Sequence, residues 1–437
     1  MFCYLPKPKT ALRSLLFLCI LTTAASAFAQ DEFLEMEQKD IPGFAGMYEV
    51  PGSNPPKLIV MMKNPERAGT EIAASAIGTQ SLGIRLPSPN EILEAYDEEV
   101  GEEFGSEYYL RSPDGTLTTQ SATEAVQYRF VNYSITELYT WRDAIFDELK
   151  TFSWFDGIGV ATLDNSLTLV VRVDIETVQD DIAVSLKKLN IPSEVIELEE
   201  GTTELLRLSG GSSRKKDSVR DVVRPLVAGI EIQTEDAFVG SCSLGWFAQK
   251  GRKLGFVTAW HCVGLGVADW NIKQDANGPV IAKAYEEDRR SREGPYDVLF
   301  AELRRGDFTR EVAWPNLRNS SSGPYEFSTK RDLQGTASES RFFNRNLYFV
   351  GRTTGRTSSY IAERKYLDYK YNSDGVDKIV SCVDHLRIDG GDSGGPVILE
   401  DGRNLYLAGF ITSKVNGRGC FTSARDAASW LKVNFLY

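Results

Sequence analysis

The stretch GGDSGGPV, Gly390–Val397, sets one Asp–Ser pair among four glycines and closes on proline. A serine in a glycine-rich turn is ordinarily only a turn residue. A nucleophilic serine makes further demands. Its hydroxyl must stand on a tight turn, and backbone N–H groups must converge on the oxyanion that forms during acyl transfer. Glycine at 391 lets such an N–H approach with no side chain in the way. The stretch alone leaves both readings open, and a base elsewhere in the chain has to separate them.

TAWHC, Thr258–Cys262, offers that base. His261 follows an apolar run, and the chain has only one other histidine, His385. A serine nucleophile at neutral pH needs a base, usually imidazole. His385, eight residues before Ser393, is a candidate for a pocket wall against the simpler reading of a surface residue. An orienting carboxylate is expected between histidine and serine. GPYDVLFAEL, Gly294–Leu303, puts Asp297 at the mouth of an apolar strand after a Gly-Pro turn. Buried beside His261, it would fix the tautomer and stabilise the imidazolium. Asp288 and Asp307 compete from more charged surroundings, and Asp269 competes with no strand evident after it. Context favours Asp297.

In the order His, Asp, Ser, these segments resemble the chymotrypsin-like (S1) serine peptidases. FVGRTTGRT, Phe349–Thr357, and GFITSKVNGRGC, Gly409–Cys420, are similar to the bacterial streptogrisin and alpha-lytic protease branch. The resemblance covers residues 226–437, and residues 134–198 resemble the C-terminal part of that branch's pro-region. It implies two antiparallel, trypsin-like β-barrels with the site in the cleft between them. It also implies catalytic roles for His261, Asp297 and Ser393, and an oxyanion hole from the N–H groups of Gly391 and Ser393. Ser413 would hydrogen-bond the catalytic aspartate, and Arg387, Ser413, Lys414 and Val415 would line the substrate pocket. Disulfides would pair Cys242 with Cys262 and Cys382 with Cys420. Three departures stand out. Trp260 occupies a position where the family has a small residue, and Val415 stands where glycine often leaves the pocket open. No arginine precedes an Ile-Val-Gly-Gly-type start, so activation by a new N-terminus pairing with Asp392 is not expected.

The rest of the chain frames this reading. Its 437 residues leave room for two domains. Hydrophobic content of 42% and charged content of 25% suit a soluble globular protein. Lys7, Lys9 and Arg13 precede the short apolar run Leu15–Leu21 and then small residues. Residues 1–29 therefore read as a secretory signal peptide, the run being too short to span a bilayer. The expected protein is secreted, extracellular or periplasmic, and free of the membrane after signal removal. Four cysteines follow the signal, an even number that suggests two disulfides in an exported chain. Zinc is discounted, because there is no C-x-x-C pair and histidine is scarce; no metal and no cofactor are expected.

Charge divides the chain. Residues 31–210 carry 13 Lys+Arg against 33 Asp+Glu, whereas residues 211–437 carry 33 against 28. Neither half shows a basic, aromatic-interleaved patch of the kind that binds nucleic acid. Small, polar and basic residues at 209–224 read as an exposed linker and maturation region. In the acidic half, SITE from Ser134 is a capping-box pattern, followed by Leu138, Trp141, Ile145 and Leu149 at helical spacing. Strands follow near 158–163 and 167–173, the second with Leu167, Leu169, Val171 and Val173 on one face. A helix at 176–189 and a strand at 195–198 complete an α+β unit. Asn90–Tyr109 reads as an acidic helix. The basic half alternates short β-rich runs with Gly, Pro and Asn turns, which favours an antiparallel barrel or sandwich.

The expected organisation is a signal peptide at 1–29, an acidic α+β pro-region at 30–208, the linker at 209–224 and an all-β peptidase domain at 225–437. The expected function is that of a secreted serine endopeptidase, a monomer acting on proteins or peptides. Its own pro-region would aid folding and then restrain it. The competing reading is a catalytically inactive binding protein on the same fold.

Overall fold

The computed structural model describes residues 126–205 without a break and short stretches between 41 and 120. It also describes 219–437, apart from 221, 235–239, 264–268, 275–277, 286–293, 305–306, 316–326, 328–329, 344, 362–365, 374 and 385. The expected signal peptide, most of the linker and most of the expected helix at Asn90–Tyr109 lie outside the described residues. Tyr108 and Tyr109 are described, and they begin a strand, Tyr108–Arg111, rather than ending a helix.

The basic half is mostly β, with one α-helix at Ala424–Leu431, and is built as two antiparallel barrels. The sheet of the first runs, in spatial order, 241–243, 231–234, 269–273, 280–285, 299–303, 253–258, 246–250 and 434–435. Its first and seventh strands belong to one run of chain, Ser241–Lys250, that bends at Leu244 and Gly245, so the sheet closes on itself. Trp246, Phe247, Phe256, Val257 and Leu299 fill the interior, where burying apolar surface supplies the main stabilisation. The second sheet runs 355–360, 346–351, 396–401, 404–415, 418–423, 376–383 and 366–373. Its longest strand, Asn404–Val415, pairs on both sides with a register shift in each ladder. Such bulges let one strand bend between two partners.

This second sheet does not stop at Tyr366–Ser373. Phe155–Ala161, Ser166–Val171 and Ile196–Glu200 from the acidic half continue it. Helices α1 (Ile135–Leu149) and α2 (Gln179–Leu189) complete the expected helix–strand–strand–helix–strand order. The capping box forms as written in the sequence. The Ser134 hydroxyl accepts from the Glu137 N–H at 3.3 Å, and the Glu137 carboxylate accepts from the Ser134 N–H at 2.9 Å. Alternation in the second strand differs from expectation. All six residues of Ser166–Val171 are buried, and Val173 lies beyond the strand, 39% exposed. The reason is that both faces are covered. Leu167, Leu169 and Val171 join one core with α1, while Val170 packs with Leu367, Tyr369 and Val415.

The joint between the halves needs close backbone approach. A Cβ on Gly157 would lie 2.5 Å from the Tyr369 ring and 2.6 Å from the Lys370 carbonyl oxygen. Only glycine fits there. Beside it, Arg142 of α1 is buried and donates to the Asp368 carboxylate at 2.7 Å across the joint. Burial pushes the Asp368 carboxyl up and the nearby Asp143 charge adds to this, while Arg142 opposes both. Breaking a buried pair by removing one partner leaves an uncompensated charge, typically at about 3–5 kcal/mol. Arg142→Ala should therefore lower the unfolding free energy of the full chain, read from its urea curve, by an amount of that order, with Arg142→Lys losing less. An unchanged midpoint in Arg142→Ala would show that the pair contributes nothing to the joint.

Candidate active site

The first barrel positions two of the three candidate groups. Strands Lys253–Thr258 and Leu299–Leu303 are neighbours, with Thr258 opposite Leu299. His261 sits in the short turn Trp260–Cys262 that follows the first strand, and Asp297 lies two residues before the second. The His261 backbone N–H donates to Asp297 Oδ1 at 3.0 Å, and His261 Nδ1 lies 2.5 Å from Asp297 Oδ2. Ser393, from the second barrel, brings its Oγ to 2.8 Å from His261 Nε2. All three residues are buried. The arrangement fits the tautomer with the proton on Nδ1, leaving Nε2 to accept from the serine hydroxyl. Asp269 lies within strand 269–273, the Asp307 carbonyl accepts from Leu226 N–H beside Phe308–Ala313, and Asp288 is outside the described residues.

The glycines have distinct tasks. Gly394, at φ +80°, lies flush against the first barrel, and a Cβ there would sit 1.9 Å from Thr258 Oγ1. Gly391, at φ +94°, turns the backbone just ahead of the serine. Its carbonyl accepts from the Ser243 hydroxyl at 2.9 Å, and the Ser393 carbonyl accepts from the Ser243 N–H at 2.8 Å. Asp392 is fully buried. Its Oδ1 accepts from the N–H groups of Thr353 and Thr354, and its Oδ2 from the Thr354 hydroxyl and the Asp389 N–H, at 2.7–3.0 Å. Burial still raises its pKa against those hydrogen bonds. All four donors come from the segment itself and from Thr353 and Thr354.

Other expectations fare differently. The disulfides join Cys242 to Cys262 and Cys382 to Cys420. Val415 is buried and Lys414 half-buried on the strand Asn404–Val415. Among the described residues the buried Ser413 hydroxyl makes no hydrogen bond to Asp297, whose two oxygens face His261. Arg387 is exposed between buried Leu386 and Ile388, which pack on Gly419, so it forms no buried pocket floor. His385 is outside the described residues. Trp260 is accommodated by an edge-on contact with Trp270, ring centroids 6.4 Å apart. Sequence reasoning missed Lys378, a buried cation whose Nζ donates to the Gly294 carbonyl at 2.7 Å and whose charge acts on Asp297. Nothing in the alternating pattern of Val376–Val383 distinguishes it. Among the described residues no cluster of three or more His, Cys, Asp or Glu could hold a metal ion, and no helix is long and apolar enough to cross a membrane.

No protein-family model matches this chain, and no curated protein matches it. Several solved structures are similar. Thermobifida fusca protease A shares 17% identity over 48% of this chain and 97% of its own, with a TM-score of 0.36. A Nocardiopsis protease shares 16% over 48% and 98%, with a TM-score of 0.32. An alpha-lytic protease homologue, N4, shares 17% over 48% and 99%, with a TM-score of 0.35.

Asp297 is fully buried, which alone would raise its pKa, yet the His261 and Lys378 charges and the His261 hydrogen bonds hold it below the ordinary range. A depressed carboxyl keeps its contribution at neutral pH and loses it as pH falls through the folded-state pKa. Lys378→Met removes one source of the depression. The acid-side loss of reactivity should then begin at higher pH, read as the rate of fluorophosphonate labelling of Ser393 against pH. An unmoved acid limb would detach Lys378 from the site.

Proposed function

We propose that the chain is a secreted serine endopeptidase, made as a precursor and acting as a monomer on protein or peptide substrates. The observation that carries this reading is the hydrogen-bonded line Asp297–His261–Ser393 across the meeting of the two barrels. Ser393 Oγ attacks the scissile carbonyl carbon as its proton passes to His261 Nε2. Asp297 then stabilises the imidazolium, and the N–H groups of Gly391 and Ser393 receive the oxyanion. Collapse expels the amine, which takes the proton from His261, and water repeats the sequence on the acyl-enzyme. Each oxyanion donor contributes roughly 10²–10³ in rate in comparable sites.

Residues 30–208 act in this reading as a pro-region cut from residues 225–437 within 209–224. Two features support it. The sheet of the second barrel continues into the acidic half. The strand Thr203–Leu205 also pairs antiparallel with Ser413–Val415, beside the nucleophile, where it would compete with substrate. Complementary charge between the halves speeds their encounter.

A fluorophosphonate probe should label Ser393 in the expressed full chain, and His261→Ala should abolish labelling. Ser393→Ala should reduce peptidase activity to the residue left by binding and the oxyanion hole. Retained activity in Ser393→Ala would overturn the mechanism, while a folded chain that never labels would favour a binding protein. The Thr203 N–H donates to Asp156 Oδ1 at 3.0 Å. Thr203→Pro removes that donor and loosens the strand, so labelling of the uncut chain should quicken; an unchanged rate would argue against restraint by this segment.

A further inference from the structure

Arg418 opens the strand Arg418–Ser423, across the turn from Val415, which pairs with Thr203. The Ser393 hydroxyl lies 3.4 Å from the Thr412 carbonyl oxygen, and the paired strand runs from Thr203, opposite Val415, to Leu205, opposite Ser413. Its direction is therefore towards the nucleophile. Any peptide lying in the same place has its N-terminal residues near the turn Asn416–Gly417, across which Arg418 faces Val415.

The guanidinium there is divided between two carboxylates. Its Nε side pairs with Asp384, a residue of the same barrel. Its Nη1 and Nη2 donate to the two Glu199 carboxylate oxygens at 2.6 and 2.8 Å, and Asn416 Nδ2 adds a third donor at 3.4 Å. Glu199 belongs to the acidic half, on strand Ile196–Glu200. The Arg418 side chain is only 6% exposed, so this is not a loose surface pair. Burial alone would raise the Glu199 carboxyl, but Arg418 outweighs it and holds the group below its ordinary range. A planar fork aimed this way suits a carboxylate, where a lysine would offer only a point charge. Departure of Glu199 would leave that fork intact, with Asp384 still fixing its inner edge.

We propose that Arg418 is a specificity residue, a receptor for an acidic side chain on the N-terminal side of the scissile bond, with Glu199 holding its place in the precursor. The inference rests on the peptidase reading above. Its logic is separate, because a fork used only to fasten the two halves together would leave the released enzyme indifferent to acidic residues.

The test uses protein recovered from expression of the full chain, wild type and Glu199→Gln, with active sites counted by fluorophosphonate labelling. A cleaved peptide, found by digesting denatured casein, is resynthesised with Gln or Glu at each of the second to seventh residues before the cut. One position should show a kcat/KM ratio, Glu over Gln, of about tenfold, the scale of a charged hydrogen-bonded pair near a surface. Arg418→Gln should bring that ratio to about one, and Arg418→Lys should restore part of it. A ratio near one at every position in wild type and in Glu199→Gln overturns the proposal without need of any Arg418 variant that fails to fold. So does a preference that persists in Arg418→Gln, which would point to Lys414. Absence of labelling in the wild type would instead remove the peptidase reading itself.

Discussion

The contact of Gly394 with Thr258 is the constraint on which the site depends. His261 and Asp297 are delivered by adjacent strands of one barrel, and Ser393 by the other. The 2.8 Å between His261 Nε2 and Ser393 Oγ exists only if the two barrels touch at backbone distance. A single methyl at 394 would sit 1.9 Å from Thr258 Oγ1. Separation of the barrels by even one ångström would break a proton path that tolerates little misplacement. The glycines after the serine are therefore packing residues first, and the chemistry follows from the packing.

A second constraint acts on the serine's other side. The carboxylate of Asp392 ties together Asp389, Thr353 and Thr354, so the turn bearing Gly391 is anchored to the hairpin Asn346–Gly351 and Gly355–Tyr360. Ser243 joins the same turn to the first barrel. These cross-links leave the backbone ahead of Ser393 little freedom, which is what a preorganised anion site would require.

Much of this was legible in the sequence, and what was not has a physical cause. The three candidate groups could be named from short motifs because each motif encodes a local conformation: a strand running into a turn, a Gly-Pro corner, a glycine-flanked bend. The capping box at Ser134 was readable for the same reason, since its two hydrogen bonds span three residues. Periodicity, by contrast, reports that a residue is buried and not what covers it. Arg142 stands four residues after Leu138 and three before Ile145, on their face of the helix, yet that spacing does not reveal that it is buried against Asp368, more than two hundred residues away. Val173 fits an alternation that ended two residues earlier because Ser166–Val171 is covered on both faces. Lys378 escaped for a related reason. The environment of Asp297 is assembled by strands from the second barrel, and strand pairing over such separations leaves no local signature.

If residues 30–208 are cut away, as in the reading proposed above, the continuous sheet carries a further consequence for the part that remains. Tyr366–Ser373 now has a neighbour on each side, Val376–Val383 and Phe155–Ala161. Stripped of the second, it becomes an edge strand, and the outward amide and carbonyl groups of the stretch Asp368–Tyr371 lose their partners. Such margins recruit strands from other molecules and seed aggregation. Asp368 and Lys370, now matched to Arg142 and Asp143, would then stand as charges on that margin and act as gatekeepers against stacking. The charges that form ion pairs between the two halves would in this way help keep a separated basic half soluble.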